Sequence, residues 1–209
     1  LHLAPGLAPR VRVDGDIVTL PGFAAFDTFG LQSIVGDALP AGKAAELEAR
    51  GETGFMFDDG TLRARVRVFR EAGGTAAIIK LVARHAPSLA DVGAPDDLGR
   101  LCQIDAGIVV VAGHTRGGRS TTLAAIVRAI NETRAKSVAT VEEHVECLHA
   151  PQRGVVHQRE VGSRPCAPMI RASEADVVAV DAGLDGDAIE ALVDAAESGR
   201  LVVAVVTAH

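Results

Sequence analysis

A glycine-rich segment between an apolar run and an amphipathic run constrains this chain more than any other feature. Residues 108–112 read Ile-Val-Val-Val-Ala, and residues 113–121 read Gly-His-Thr-Arg-Gly-Gly-Arg-Ser-Thr. Residues 122–134 then carry apolar side chains at helical spacing. A strand, a glycine-rich turn and a helix in this order are typical of a phosphate-binding loop. In such a loop, successive backbone N–H groups and the start of the helix surround the phosphate oxygens.

The loop departs from the usual G-x-x-x-x-G-K-[ST] pattern because Arg119 occupies the lysine position. Arginine keeps the positive charge, but its planar guanidinium is larger than an ammonium group and donates in a fixed fork. The hydroxyl of Ser120 stands where such loops ligate Mg²⁺. A plain strand-to-helix turn without a ligand is the alternative interpretation. The residues predicted to bind a nucleotide are Gly113, His114, Thr115, Arg116, Gly117, Gly118, Arg119, Ser120 and Thr121.

The pattern of the chain changes near residue 100, which indicates two domains. Residues 1–86 contain hairpin and short-helix signals, including Asp14-Gly15 between two alternating segments. Proline and glycine punctuate a linker at 87–100. Residues 101–209 alternate helical patterns with short valine-rich runs, as expected for a parallel sheet covered on both faces. Strands are predicted at 108–112, 137–141, 176–181 and 201–206, and helices at 120–134 and 185–198.

A row of arginines at every second position marks the predicted strand 62–69. Arg63, Arg65 and Arg67 share one face of that strand, because successive side chains alternate. The row is either a solvated sheet face or a positive face offered to a nucleotide bound elsewhere.

Composition excludes several classes of protein. The 209 residues include no Trp or Tyr, which argues against stacking platforms for single-stranded nucleic acid. A net charge of −6 provides no basic field for nucleic acid, so no nucleic-acid partner is expected. Three cysteines without C-x-x-C spacing predict reduced thiols in a cytoplasmic protein. No apolar run reaches the roughly 18–20 residues of a membrane helix, and no signal peptide is evident.

Besides the loop, six short sequence segments distributed over almost the whole chain form a recognisable series. They are Leu1-His2-Leu3, Arg12-Val13-Asp14-Gly15-Asp16, Glu52-Thr53-Gly54-Phe55, Thr140-Val141-Glu142-Glu143-His144-Val145-Glu146, His157-Gln158-Arg159-Glu160-Val161 and Ala195-Ala196-Glu197-Ser198-Gly199. In order and spacing, the sequence resembles the PilT branch of the type II/type IV secretion ATPases. The family continues past the position of residue 209, so a C-terminal helical part is expected to be missing from this sequence.

The resemblance implies a fold and a setting. The fold is a PAS-like N-terminal α+β domain followed by a RecA-like P-loop NTPase domain with a parallel sheet, assembled in a hexameric ring. The setting is a cytoplasmic ATPase that powers type IV pilus retraction and twitching motility, associated with the inner membrane through a pilus machine. Its cofactors would be ATP and Mg²⁺. Its partners would be secretion ATPase paralogues and platform proteins of the inner membrane.

The resemblance also assigns roles by position. Glu142 aligns with the catalytic glutamate of the family motif TIEDPIE, and Glu143 aligns with its aspartate, which makes Glu143 a candidate metal ligand beside Ser120. In the phosphate loop, the family sequence GPTGSGKST has a glycine where Arg116 stands and a lysine where Arg119 stands.

Other family positions are substituted. Ala182 stands where the Walker B glutamate belongs, while Asp181 lies one residue earlier and faces the other side of a regular strand. Arg200 and Thr207 replace the two histidines of the His box, and His209 follows two residues later. The segment between Val161 and Glu174 is shorter than in the family and contains two prolines, so a helix there is expected to be shortened or lost.

A cluster of His144, Cys147 and His149 suggests a metal site, but a fourth ligand is not evident, and polar loop residues are the simpler interpretation. The sequence thus predicts a nucleotide-binding protein with weakened or absent ATP hydrolysis. One alternative is a non-catalytic structural or regulatory subunit that assembles with an active paralogous ATPase. Another is a competent ATPase in which other residues compensate for the substitutions.

Overall fold

The computed structural model describes residues 1–208, which form two compact units. The first unit is Leu1–Ala83, and the second begins at Arg84. The residues that the sequence predicts as a linker, 87–100, therefore belong to the second unit. Within the described residues, none of the helices combines the length and the apolar character needed to cross a bilayer.

The first unit is a six-stranded antiparallel sheet with two helices. Its strands are β1 (His2–Leu3), β2 (Arg10–Val13), β3 (Asp16–Thr19), β4 (Glu52–Asp58), β5 (Arg63–Glu71) and β6 (Gly74–Leu81) in the order β3-β2-β1-β6-β5-β4. Its helices are α1 (Thr28–Ala38) and α2 (Lys43–Arg50). The predicted hairpin at Asp14-Gly15 is confirmed, and both turn residues have positive φ, as a tight two-residue hairpin turn requires.

Strand β5 separates the core of the first unit from its charged face. Val66 and Val68 are buried with Leu31 of α1. Arg63, Arg65 and Arg67 alternate with the buried residues and so face away from this core. Arg63 pairs with Asp58 at 2.7 Å, and Arg67 pairs with Glu52 at 2.5 Å. The Arg67 side chain is exposed, as a solvated sheet face predicts, whereas the Arg63 side chain is only 9% exposed, so the row is not solvated along its whole length.

The second unit is a five-stranded parallel sheet with helices on both faces. Its strands are β7 (Gly107–Gly113), β8 (Ser137–Glu142), β9 (Val155–Glu160), β10 (Val177–Asp181) and β11 (Leu201–Thr207) in the order β7-β11-β10-β8-β9. Its helices are α3 (Asp96–Leu101), α4 (Arg119–Thr133), α5 (Ala167–Arg171) and α6 (Gly186–Glu197). The four predicted strands and the two predicted helices are confirmed, whereas β9 and α3 were not predicted.

Alternation along β10 assigns each residue to one face of the parallel sheet. Val177 and Ala179 pack with Ile126 of α4. Val178 and Val180 pack on the opposite face, with α5 and α6. Odd-numbered residues of this strand therefore point toward α4, the helix that the glycine-rich loop opens.

Proline, capping and glycine residues set the lengths of helices α5 and α6. Helix α5 has five residues with a proline in its first turn, so only a short helix remains where the sequence predicted a shortened or lost one. Helix α6 begins at an N-cap in which the Asp185 carboxylate accepts the Ala188 N–H at 2.8 Å. It ends just before Gly199, whose φ of 88° reverses the chain.

Candidate functional site

The carboxyl ends of four parallel strands meet at the edge of the sheet where the glycine-rich loop lies. Gly113 ends β7 and pairs in register with Thr207 of β11. Asp181 ends β10 and pairs in register with Glu142 of β8. Ligands of open parallel sheets bind outside these carboxyl ends. The start of the loop, the substituted family position 207 and two carboxylates therefore share one edge.

The backbone of the loop has a shape that needs glycine. The Gly117 N–H donates to the His114 carbonyl at 2.9 Å, and a Cβ at residue 117 would lie 2.9 Å from the same oxygen. Gly118 has a φ of 81° and is the N-cap of α4, where no side chain caps the helix. The first-turn N–H groups of a helix have no intrahelical partner, so this start of α4 can receive an anion.

Arg116 occupies a strained backbone position in the loop. Its φ is 66°, and Arg116 and Asp14 are the non-glycine residues with positive φ in the described part of the chain. The left-handed conformation costs an L-residue roughly 1–2 kcal/mol, which explains why a glycine suits this position in the family. The Arg116 side chain is exposed.

Arg119 is the first residue of α4, and its side chain crosses the start of the loop to reach β11. Its aliphatic part passes over Gly113, with Cγ 3.4 Å from where a Cβ of residue 113 would stand. Its Nη1 then donates to the Thr207 hydroxyl at 2.7 Å. The side chain that replaces the family lysine is thus held at the end of β11.

Asp181 faces the loop because β10 alternation turns it toward α4. Burial raises the pKa of its carboxyl, a side-chain hydrogen bond with Ser120 and the charge of Arg119 oppose that rise, and nearby acidic charges add to it. The sequence predicted that Asp181 faces away from the side used by residue 182. The sequence did not reveal that the side Asp181 faces is the side that α4 and the phosphate loop cover.

Glu142 lies beside Asp181 on the same face, half-buried. Burial raises the pKa of its carboxyl, and the charges of Asp181 and Glu160 raise it further. Hydrogen bonds oppose this effect, since the Thr140 hydroxyl donates to Oε1 at 2.5 Å and the Gln158 amide donates to the same oxygen at 3.3 Å. The environment therefore orients this carboxylate and favours a proton on it.

Glu143 and Ala182 directly follow Glu142 and Asp181 in the chain. Glu143 is exposed to solvent, and Ala182 packs on the other face of the sheet. Glu143 is exposed, its N–H donates to the Asp181 carbonyl at 2.8 Å, and its carboxylate is 3.7 Å from His144 Nε2. Its role as a metal ligand stays a prediction. Ala182 is partly buried against the apolar cluster of α5 and α6, on the face opposite Asp181. His209 lies outside the described residues.

The His144, Cys147 and His149 cluster forms a polar loop. Gln158 receives the His149 N–H at 3.1 Å and donates to the Cys147 carbonyl at 2.8 Å. Burial, with the charge of Arg128, lowers the pKa of His149 to about 4. Among residues 1–208, no group of three or more His, Cys, Asp or Glu side chains is placed to hold a metal. The interpretation as polar loop residues is therefore favoured.

Comparison with known proteins decides the family. The sequence model described as "Type II/IV secretion system protein" matches residues 59–209. The chain belongs to this family.

Members of this family with curated descriptions match nearly all of the chain. It is 30% identical to the "Type IV pilus retractation ATPase PilT" of Pseudomonas aeruginosa, over 97% of the chain and 60% of that protein. It is 32% identical to the uncharacterized protein YggR of Escherichia coli, over 98% of the chain and 63% of that protein. The chain thus spans about three fifths of the length of these relatives.

Solved structures of the family confirm the predicted fold class. The pilus retraction motor PilT with bound ADP superimposes with a TM-score of 0.91 at 30% identity, covering 100% of this chain and 62% of that one. The DotB ATPase of Legionella pneumophila gives a TM-score of 0.82 at 21% identity, covering 99% and 61%, which supports the fold alone. The chain is a PilT-like member of the secretion ATPase family, with an N-terminal α+β domain and a RecA-like domain.

Proposed function

We propose that this protein binds ATP and Mg²⁺ at residues 113–121 and hydrolyses ATP slowly or not at all. One observation carries the proposal. The glycine-shaped loop opens α4 directly beside two carboxylates, while the arginine that replaces the family lysine is bonded to Thr207 at 2.7 Å. This arrangement supports a phosphate site whose cation is bonded to Thr207.

The residues present fit a nucleotide with its metal. The loop offers backbone N–H groups at a helix start, where the helix dipole favours negative charge. A hydroxyl and a carboxylate, Ser120 and Asp181, lie together at the same point. Oxygen donors of this kind suit Mg²⁺, which binds through one or two carboxylates together with substrate phosphates. In this proposal the loop holds the phosphates, and Ser120 is a ligand of the metal.

Glu142 is the candidate base of a slow hydrolysis. When bound, ATP with Mg²⁺ would supply the phosphoryl group that water attacks. The Thr140 and Gln158 donors hold Glu142 Oε1 in place, and its raised pKa suits a group that takes a proton from water. A positioned base contributes typically about 10²–10⁴-fold to a rate. Ala182 supplies no acid at the family position, and the Arg119 guanidinium is bonded to Thr207, so the expected rate is low.

We extend the proposal to the setting in which the protein acts. Its relatives include a twitching motility protein of Neisseria gonorrhoeae and the type IV pilus ATPase PilU of Pseudomonas aeruginosa. This likeness supports a role in a type IV pilus or type II secretion machine. There the protein would form a ring with its own copies or with paralogous ATPases, in contact with platform proteins of the inner membrane.

Restoring the lysine of the loop tests the weakened hydrolysis. The variant Arg119→Lys is expected to hydrolyse ATP faster than the starting protein, measured as phosphate release in the presence of Mg²⁺. The matched control is Arg153→Lys, which makes the same chemical change at an exposed residue away from the loop. A starting protein that already hydrolyses ATP as fast as Arg119→Lys would contradict the proposal.

A further inference from the structure

The side of the sheet that Asp181 faces is fixed by the packing of β10. Val177 and Ala179 belong to the apolar cluster of α4, and Asp181 continues this alternation at the end of the strand. Ala182 belongs to the cluster on the opposite face. An acidic side chain at 181 therefore points to the start of α4, which Ala182 cannot reach.

The carboxyl of Asp181 lies near two residues at the start of α4. The Ser120 hydroxyl and the Arg119 guanidinium lie near its carboxyl, and both act to lower its pKa. Its backbone is also fixed, because the Glu143 N–H donates to the Asp181 carbonyl at 2.8 Å. A serine hydroxyl of the loop and an aspartate at the end of a neighbouring strand are the pair with which P-loop NTPases hold Mg²⁺.

We propose that Asp181 has taken over the acidic role that residue 182 lacks, and that it positions Mg²⁺ together with Ser120 when a nucleotide occupies the loop. This inference rests on the proposed function. The acid has moved one residue toward the amino end of the strand and so lies on the face of the loop. The alanine at 182 is then a consequence of the move and does not leave the site without an acid.

The structure also indicates when the metal binds. The described residues contain no group of three or more acidic, histidine or cysteine side chains placed to hold a metal alone. A hydroxyl and one carboxylate leave most of the octahedral shell of Mg²⁺ to phosphates and water. Mg²⁺ should therefore bind only with the nucleotide, and each should strengthen the binding of the other, since such coupling is reciprocal.

The test compares the affinity for a fluorescent ADP analogue in Mg²⁺ and in EDTA. For the starting protein, Mg²⁺ should strengthen binding on the order of tenfold. In Asp181→Asn this gain should fall to about one, with the affinity in EDTA unchanged or higher because a negative charge beside the phosphates is gone. Asp181→Glu keeps the carboxylate and should retain part of the gain.

The matched control is Asp176→Asn. Asp176 precedes the same strand, and its Oδ2 accepts the Ser137 hydroxyl at 2.8 Å, so the variant breaks an Asp–Ser pair at the opposite end of β10. This control should keep the full Mg²⁺ effect. Thermal unfolding of each variant confirms that it is folded at the temperature of the assay.

Two results would overturn the inference, and they differ from each other. If Asp181→Asn keeps the same gain from Mg²⁺ as the starting protein, the metal is positioned elsewhere, while nucleotide binding by the loop stands. If the starting protein binds the analogue neither in Mg²⁺ nor in EDTA, the proposed function fails and this inference fails with it.

Discussion

The bond between Arg119 and Thr207 makes a quantitative prediction about nucleotide affinity. In the structure, Arg119 Nη1 donates to the Thr207 hydroxyl at 2.7 Å, and the guanidinium must leave this partner before it can contact phosphates in the loop. Thr207→Val keeps the shape of the side chain and removes the acceptor. The variant should bind nucleotide more tightly, since the starting protein loses this hydrogen bond on binding.

The size of the effect follows from the exposure of the two groups. A hydrogen bond to a charged group is worth roughly 1.5–3 kcal/mol. Thr207 is exposed and Arg119 only half-buried, so water competes for both groups and reduces the figure to about 1 kcal/mol. Since about 1.4 kcal/mol corresponds to tenfold in affinity, Thr207→Val should lower the dissociation constant for ADP with Mg²⁺ about fivefold.

A titration with a fluorescent ADP analogue measures this directly. Thr19→Val is the matched control, because Thr19 is also an exposed strand residue but lies in the other unit. Its affinity should equal that of the starting protein. An unchanged or weaker affinity in Thr207→Val would refute the reasoning, because the bond would then not compete with phosphate for Arg119.

Two further predictions concern pH. The pKa of Glu142 is raised in the folded protein, so its contribution to stability is present at low pH and is lost as pH rises through the folded pKa. Glu142→Gln should therefore raise the melting temperature at pH 8 and change it less at pH 4, as measured by thermal unfolding. The same variant should abolish any residual ATP hydrolysis. The pKa of His149 is lowered to about 4, so the folded protein loses stability as pH falls from about 6.5, the usual histidine value, toward 4. In His149→Asn, the difference between the free energies of urea unfolding at pH 7 and pH 5 should be smaller than in the starting protein. His157→Asn, at an exposed site, should leave that difference unchanged. Equal sensitivity in both histidine variants, or equal effects of Glu142→Gln at both pH values, would contradict the assigned burial.

Sequence patterns predicted the elements that local chemistry decides. The hairpin at Asp14-Gly15 needs only two turn residues that tolerate positive φ. Short-helix signals marked helix α2, which ends at Gly51 in the left-handed conformation. Valine-rich runs marked four strands of the parallel sheet. Three of them, β8, β10 and β11, are apolar because they are covered on both faces, whereas β7 leaves Ile108 and Val110 exposed.

Strand β9 and helix α3 escaped prediction, although β7, at the other edge of the sheet, was marked by its apolar run. Strand β9 reads Val-Val-His-Gln-Arg-Glu and forms the edge beside β8. An edge strand with an exposed side needs no continuous apolar run, so it lacks the signal that revealed its neighbours. Helix α3 has six residues, which is too short for a helical repeat of apolar positions to be read.

The candidate site shows a similar limit. The loop residues and Glu142 could be named from motif and resemblance, because each is read within one short block. The Arg119–Thr207 bond joins residues 88 positions apart, and the Asp181–Ser120 pair depends on which face of β10 is covered by α4. Both are tertiary facts. The sequence showed the first only as substitutions at 119 and 207, and the second only as alanine at 182 with an aspartate one residue earlier.

The central claim is that the loop recognises phosphates although its lysine is absent. Calorimetric titration of the purified protein with ADP and Mg²⁺, and separately with adenosine, tests it most directly. Saturable binding of ADP with a stoichiometry of about one per chain, and no binding of adenosine at the same concentrations, is the predicted result, because recognition runs through backbone N–H groups aimed at phosphate oxygens. No saturable binding of ADP at millimolar concentration, or equal binding of adenosine, would contradict the account.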